Sequence, residues 1–397
     1  MPSYSKLSQR PVNVGGMYRT LAVSGYRSLR DVAVRLGRVT VVTGANGSGK
    51  SNLYRALRLL AGCALGDAVG SLAREGGLSS VLWAGPETLG GARREGVVQG
   101  TVRKGPISLR LGIGADALSY LVDLGLPAIQ PGTSAFDRDP EVKREAVWAG
   151  PVMRPSTLLA RRKRTMVETR DDGPWDELPF QLAPHQSMLL DLPDLRALRD
   201  DMAAWRFYDS LRSDADAPAR QPRVGTRTWA LASDGSDVAA ALQTIVERGK
   251  EPLDEHLDDA FPGSRLGVQI HDGVFALILR QHGMLRALRA AEHSDGTLRY
   301  LMWLAALLAP VRPPLMAVNE PENSLHPTLI EPLARLIAHA ARDTQIVVVT
   351  HNAALVAALS EAVADDLELV ELHKDFGETV IADQGLLTRP AWEWGKR

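Results

Sequence analysis

Eight residues, Gly44-Ala45-Asn46-Gly47-Ser48-Gly49-Lys50-Ser51, have the types and spacing to hold phosphate groups. The G-x-x-x-x-G-K-S pattern folds as a tight turn whose backbone N–H groups face one anion. Lys50 would reach the β- and γ-phosphates of a nucleotide, and the Ser51 hydroxyl would ligate Mg²⁺. Asn46, Gly47, Ser48, Gly49 and Asn52 complete the candidate cradle. Three later stretches also end in chemistry. Ser294-Asp295-Gly296-Thr297 stands directly before a leucine-rich helix and offers a second phosphate-binding helix end. The same four residues also make an ordinary N-cap turn. The apolar run Leu315–Val318 empties into Asn319-Glu320-Pro321-Glu322, and Gln345–Thr350 ends in His351. Polar residues at the carboxyl ends of buried strands lie where α/β sheets bind ligands.

The elements that must position these groups follow from local pattern. Val39–Thr43 is a β-branched run suited to a buried parallel strand. Leu53, Ala56, Leu57 and Leu60 recur at helical spacing up to Gly62. Tyr18–Val23 and Val32–Val39 read as strands around Gly25–Ser28. Tyr26 and Arg27 in that turn are either nucleotide contacts or an ordinary surface turn. Segments 97–102 and 107–113 look like paired strands around Lys104-Gly105-Pro106. Residues 130–180 are proline-rich and irregular, with the run Arg161-Arg162-Lys163-Arg164. That run is either a solvated loop or a phosphate contact. Helical periodicity marks 195–211 and 238–246, and alternation over 264–288 marks a hairpin around His271-Asp272-Gly273. Pro327 suits the first turn of a helix over 328–341.

The chain has 397 residues, 45% of them hydrophobic, enough for one large or two smaller domains. A net charge of −1 excludes a global field drawing the chain to nucleic acid or membrane, though not a local basic face. The lone Cys63 excludes an intramolecular disulfide framework. The apolar run 301–310 is too short to span a bilayer, and residues 1–16 lack a signal peptide's apolar centre. A soluble cytoplasmic protein is expected, with no membrane partner. No heptad run announces a long coiled coil.

Glycine loop, Ser-x-Gly helix start, strand plus Glu and strand plus His occur in the order of ABC-type ATPases. GANGSGKS at 44–51, HSDGTLRYL at 293–301, LMAVNEPENSLHP at 315–327 and VVVTH at 347–351 resemble the RecF/SMC-like branch, and especially its OLD-like, AAA-labelled predicted ATPases. The resemblance implies an α/β fold, an ABC-type P-loop ATPase head. Its mixed or parallel sheet is flanked by helices, with N-terminal antiparallel strands and an inserted helical or irregular lobe. The expected divisions are a tail at 1–16, an N-terminal ATPase half at 17–126, the insert at 127–262 and a C-terminal half at 263–397.

By the same resemblance, ATP and Mg²⁺ are the cofactors. Ser294 and Gly296 would contact the γ-phosphate of ATP bound to the opposite subunit of an ATP-dependent homodimer. Glu320 would be the general base, His351 a switch on the γ-phosphate, Asn319 the Walker B position and Gln186 the Q-loop glutamine near the metal. Asn319 departs from the usual aspartate and brings no charge. His293 stands where an apolar residue is usual, and could tune the helix start with pH. Residues 352–397 are too few for the Toprim nuclease of OLD-type proteins. DNA metabolism, a switch or scaffold for a separately encoded effector, and a small-molecule phosphotransferase are three functions such a chain could serve. A second phosphate-binding helix argues against the last.

Overall fold

The computed structural model describes residues 16–86, 108–128, 134–171, 173–249, 251–385 and 387–395. The expected strand over 97–102, its turn at 104–106 and nearly all of the tail lie outside the described residues. The chain forms two compact units: residues 1–37, 42–205 and 368–397 in the first, and 38–41 and 206–367 in the second.

The first unit is built on an antiparallel sheet. β1 (Tyr18–Tyr26) pairs with β2 (Leu29–Arg35) across a turn in which Arg27 has a φ of +48°. On the other edge of β1 come β4 (Leu109–Ala115), β5 (Leu118–Gly125), β6 (Glu141–Ala149), β7 (Leu158–Lys163), β8 (Met166–Thr169) and β9 (Asp176–Glu177). β4 and β5 are buried almost throughout, so they read as continuous apolar runs rather than alternating ones. α1 (Lys50–Ala64) lays Leu53, Leu57 and Leu60 into the core against β1 and β4. It follows the loop at the end of β3 (Val39–Gly44). Short helices α2 (Ala68–Arg74), α3 (Leu78–Val81), α4 (Met188–Asp191) and α5 (Arg196–Ala203) follow in chain order. The closing hairpin of β17 (Leu367–Asp375) and β18 (Glu378–Ile381) returns to β2, with the Thr379 N–H donating to the Ser28 carbonyl at 2.8 Å.

Of the expected insert over 127–262, the part before residue 206 falls in the first unit, where β6 to β9 continue the N-terminal sheet, and 206–262 falls in the second unit. The run 161–164 is not a free loop. Arg161, Arg162 and Lys163 end β7, and Arg164, at a φ of +56°, turns the chain into β8. Arg162 is fully buried, in an ion pair with the equally buried Glu145. A buried ion pair breaks the apolar alternation by which a strand is recognised, and four cations in a row look like solvent.

In the second unit, β10 (Arg206–Tyr208), β15 (Leu315–Asn319) and β16 (Gln345–Val349) are parallel neighbours. β3 begins beside β16, with the Ile346 N–H donating to the Arg38 carbonyl at 2.9 Å, then continues to the glycine loop in the first unit. α6 (Val238–Arg248), α7 (Glu251–Ala260), α8 (Asp295–Leu307), α9 (Ile330–Ala340) and α10 (Ala353–Val363) complete this unit's main helices. α8 is apolar nearly all round, which suits its burial on every side from Tyr300 to Leu307. A small antiparallel sheet of β11 (Arg223–Val224), β13 (Val274–Arg280) and β12 (Arg265–His271), with β14 (Leu288–Arg289), packs by its hairpin on α6. The hairpin turns at Asp272-Gly273, both with positive φ, as expected. Among the described residues no helix is long and apolar enough to cross a membrane.

Candidate functional site

In the first unit the glycine loop has the backbone of an anion cradle. Gly44, Gly47 and Gly49 have φ of +140°, +80° and +113°. A Cβ on Gly49 would lie 2.1 Å from Thr379 Oγ1, and one on Gly44 would lie 2.2 Å from the Leu372 carbonyl, so both glycines are required by close approach. A Cβ at Gly47 would meet nothing within 4 Å, which leaves the loop's outer face open. The loop is strapped from behind. Thr379 Oγ1 donates to the Ser48 carbonyl at 2.7 Å and shares a hydrogen bond with Ser28 Oγ, which in turn accepts from Asn52 Nδ2. Sequence reading missed Thr379 and Ser28, since lone hydroxyl residues far from the motif carry no signal. The Lys50 ammonium lies across the loop on the Gly44 and Ala45 carbonyls. Among the described residues, Ser48 Oγ is buried without a hydrogen-bond partner, while Asn46 and Ser51 are exposed. An orphaned hydroxyl, a poised cation and free N–H groups fit a phosphate chain, and the Ser51 oxygen fits a hard cation.

Tyr26, Arg27 and Gln186 all have partners within the fold. Tyr26 is fully buried, its hydroxyl donating to Glu75 at 2.6 Å, so it cannot stack on a base. Burial, with Glu75 assisting, pushes its phenol up. Arg27 spends its guanidinium on the same Glu75, at 2.7 Å. A nucleotide would therefore have to compete for it. Gln186, the candidate Q-loop glutamine, is engaged within its own turn. Its amide oxygen accepts from the Ala183 N–H at 2.7 Å, and its carbonyl takes a hydrogen bond from Arg162.

The second unit holds the remaining groups. Glu320 follows β15 with a φ of +47°, a left-handed conformation that costs about 1 kcal/mol or more in a non-glycine residue. Its N–H donates to the Val349 carbonyl at 2.7 Å, and Asn323 Nδ2 donates to Glu320 Oε2 at 2.8 Å. This fixes the carboxylate so that Oε1 lies 3.2 Å from His351 Nδ1. Glu322 approaches the same nitrogen at 3.9 Å from a buried position, and Thr350 Oγ1 donates to it. The other Glu322 oxygen has no hydrogen-bond partner among the described residues, and neither does the buried Arg299 Nε. Burial holds the Arg299 guanidinium below its ordinary value, opposed by the charges of Glu322 and Glu320. Sequence reading named Glu320 and His351 but gave Glu322 no role. Asn319 sits half-buried at the end of β15.

Ser294 caps α8, accepting from the Thr297 N–H at 3.2 Å. Gly296 lets that helix start press on the turn after Glu322. A Cβ there would lie 2.7 Å from the carbonyl of Ser324, itself at a φ of +62°. Ser294, Gly296, Ser324 and His326 line an open cavity of about 640 Å³. Arg220, which the sequence did not single out, holds the helix start from beneath. Its Nη1 donates to the His293 carbonyl at 2.8 Å and its Nη2 to Asp295 at 2.6 Å. His293 is buried with Nε2 unpartnered among the described residues, and burial, then the Arg220 charge, lowers its pKa.

Residues 39–357 match the model of a protein family described as "AAA domain, putative AbiEii toxin, Type IV TA system". The match takes in more than half of the chain, and the protein belongs to that family. Among solved structures, the chain is similar to the SmcHead bound to the C-winged helix domain of ScpA. The two share 14% identity over 94% of this chain and 99% of that one, with a TM-score of 0.50. It is also similar to the Smc head domain with an extended coiled coil bound to the C-terminal domain of ScpA, derived from Pyrococcus furiosus. Here identity is 13% over 94% of this chain and 97% of that one, again with a TM-score of 0.50. The fold is that of SMC head domains, in keeping with the resemblance the motifs carried. A search of the curated proteins returned no match.

Proposed function

We propose that this protein binds and hydrolyses ATP, working as a homodimer that ATP closes, in DNA metabolism or repair. The observation that carries hydrolysis is the couple of Glu320 and His351, 3.2 Å apart at the ends of adjacent parallel strands. A carboxylate held by Asn323 and backed by a histidine suits a base that takes a proton from water. Lys50 and the loop N–H groups would hold the β- and γ-phosphates, with Asn46, Gly47, Ser48, Gly49 and Asn52 around them. Ser51 would ligate Mg²⁺ and Asn319 would meet the metal's water shell. Bound Mg²⁺ would neutralise phosphate charge. Ser294 and Gly296, facing an open cavity from a helix N-terminus, suit a γ-phosphate brought by a second copy.

The test is ATP turnover and binding in Glu320→Gln beside the parent. ATP should still bind while hydrolysis falls by at least a hundredfold. Undiminished turnover would remove Glu320 from the base role. Duplex DNA at two salt concentrations separates the biological readings. Stimulated turnover supports DNA metabolism. The family description, which names a Type IV TA system, favours a second reading, in which the dimer is a switch or scaffold for a separately encoded effector. Turnover indifferent to DNA would support it.

A further inference from the structure

Within the first unit, a cleft of about 290 Å³ lies between β6, the 150–157 turn, β7 and the returning C-terminal segment. Its wall carries Arg144, Arg154, Arg161, Arg162 and Lys163 against a single carboxylate, Glu393. Two of these cations are already matched. Arg161 forms a two-pronged pair with Glu168 and lies over the Trp175 ring, and Arg162 is sealed against Glu145. Arg144, Arg154 and Lys163 have no ion pair among the described residues. That leaves Arg144, Arg154 and Lys163 facing a cleft whose lining carries one carboxylate, Glu393, with Asp123 behind Arg144 and Glu168 near Lys163.

Arg144 is fixed rather than free. It donates to the Trp394 carbonyl, and Gly395, at a φ of +64°, lets the chain fold over it. A Cβ at Gly395 would lie 2.6 Å from Arg144 Nη2. Burial lowers the Arg144 pKa; Asp123 opposes this, and Arg110 adds a smaller lowering. A guanidinium taken out of water gains from an anion brought beside it. Met153, Pro155 and Leu158 supply an apolar side to the cleft, with room for a ring beside the anion.

We propose that this cleft is a second anion site, taking a phosphomonoester dianion joined to a planar organic body. A free mononucleotide and the 5′-phosphorylated end of a nucleic-acid strand share that chemistry. Arg154 and Lys163 at the exposed rim would close on the phosphate, while Arg144 holds it from below. The proposal is independent of the glycine loop and survives failure of the ATPase reading.

The test uses the full chain carrying Lys50→Ala, to silence nucleotide binding at the loop, with and without Arg154→Ala/Lys163→Ala. Calorimetry at low salt with AMP, and with matched oligonucleotides bearing a 5′-phosphate or a 5′-hydroxyl, reads the site. Binding of AMP or of the phosphorylated strand, weakened at least tenfold by the double substitution, is expected. AMP alone identifies a free nucleotide as the source, and the phosphorylated strand alone identifies a strand end. Both rim residues are exposed, so thermal unfolding should be unchanged, as should ATP turnover when the pair is placed in the parent. No binding, binding indifferent to the double substitution, or equal binding of the 5′-hydroxyl strand overturns the proposal.

Discussion

Glu320 and Glu322 stand two residues apart and approach one histidine nitrogen from opposite environments. Glu320 is half-exposed and held by Asn323, as a proton acceptor must be. Glu322 is buried and takes the Thr350 hydroxyl, so it positions the strand end that presents His351. Glu322→Gln keeps the shape and removes the charge. Turnover should fall roughly tenfold, about 1.4 kcal/mol of barrier, with ATP affinity intact. An equal loss of ATP binding would reduce Glu322 to a packing role. Asn319→Asp adds charge where the metal's water shell is assigned, and hard cations prefer charged oxygens. The Mg²⁺ concentration for half-maximal turnover should drop, and an unchanged value would turn Asn319 away from the metal. The glycine loop, Glu320 and His351 were legible because their spacing is bound to backbone geometry. Glu322, Arg220 and Thr379 were not, because they act through contacts made only after distant strands and loops come together.

Elements carry their own tests. The segment leading into α8 buries His293, α7 buries His256, and α9 presents His339 to it, ring centroids 4.9 Å apart. All three have pKa values below the ordinary 6.5, with burial the largest cause in each. The unfolded chain therefore takes up protons first as pH falls. Stability is fully present above about pH 6.5 and is lost as pH drops toward the folded values. The melting temperature should fall between pH 7.5 and pH 5, and His293→Gln should flatten that slope. An equally steep slope in the variant would clear His293. In β7, Arg162→Ala would strand the buried Glu145 carboxylate and should cost about 3–5 kcal/mol in denaturant unfolding. A loss under 1 kcal/mol would mean that Tyr120, Ser187 and the Met188 N–H, which also donate to Glu145, suffice. Here the sequence misled. Periodicity finds strands through apolar alternation, and a paired charge inside a sheet erases it.

At the scale of the whole molecule, the two units are interleaved along the chain. The first is closed by residues 368–397, from the far end, and β3 starts in one unit and ends in the other. No linear boundary drawn on composition could find that division, whereas the fold class was carried by four ordered motifs. The ATPase reading assigns each catalytic centre a Glu320 from one copy and a Ser294 from the other. Ser294→Arg would block the partner's γ-phosphate, and Glu320→Gln would stop hydrolysis. The most direct measurement is ATP turnover in an equimolar mixture of these two variants. Mixed dimers contain one centre with both defects and one with neither, so turnover should recover to as much as about a quarter of the parent rate from two inactive proteins, assuming random pairing and independent centres. A mixture as inactive as its components, with mixed dimers shown to form, would contradict a centre shared between copies.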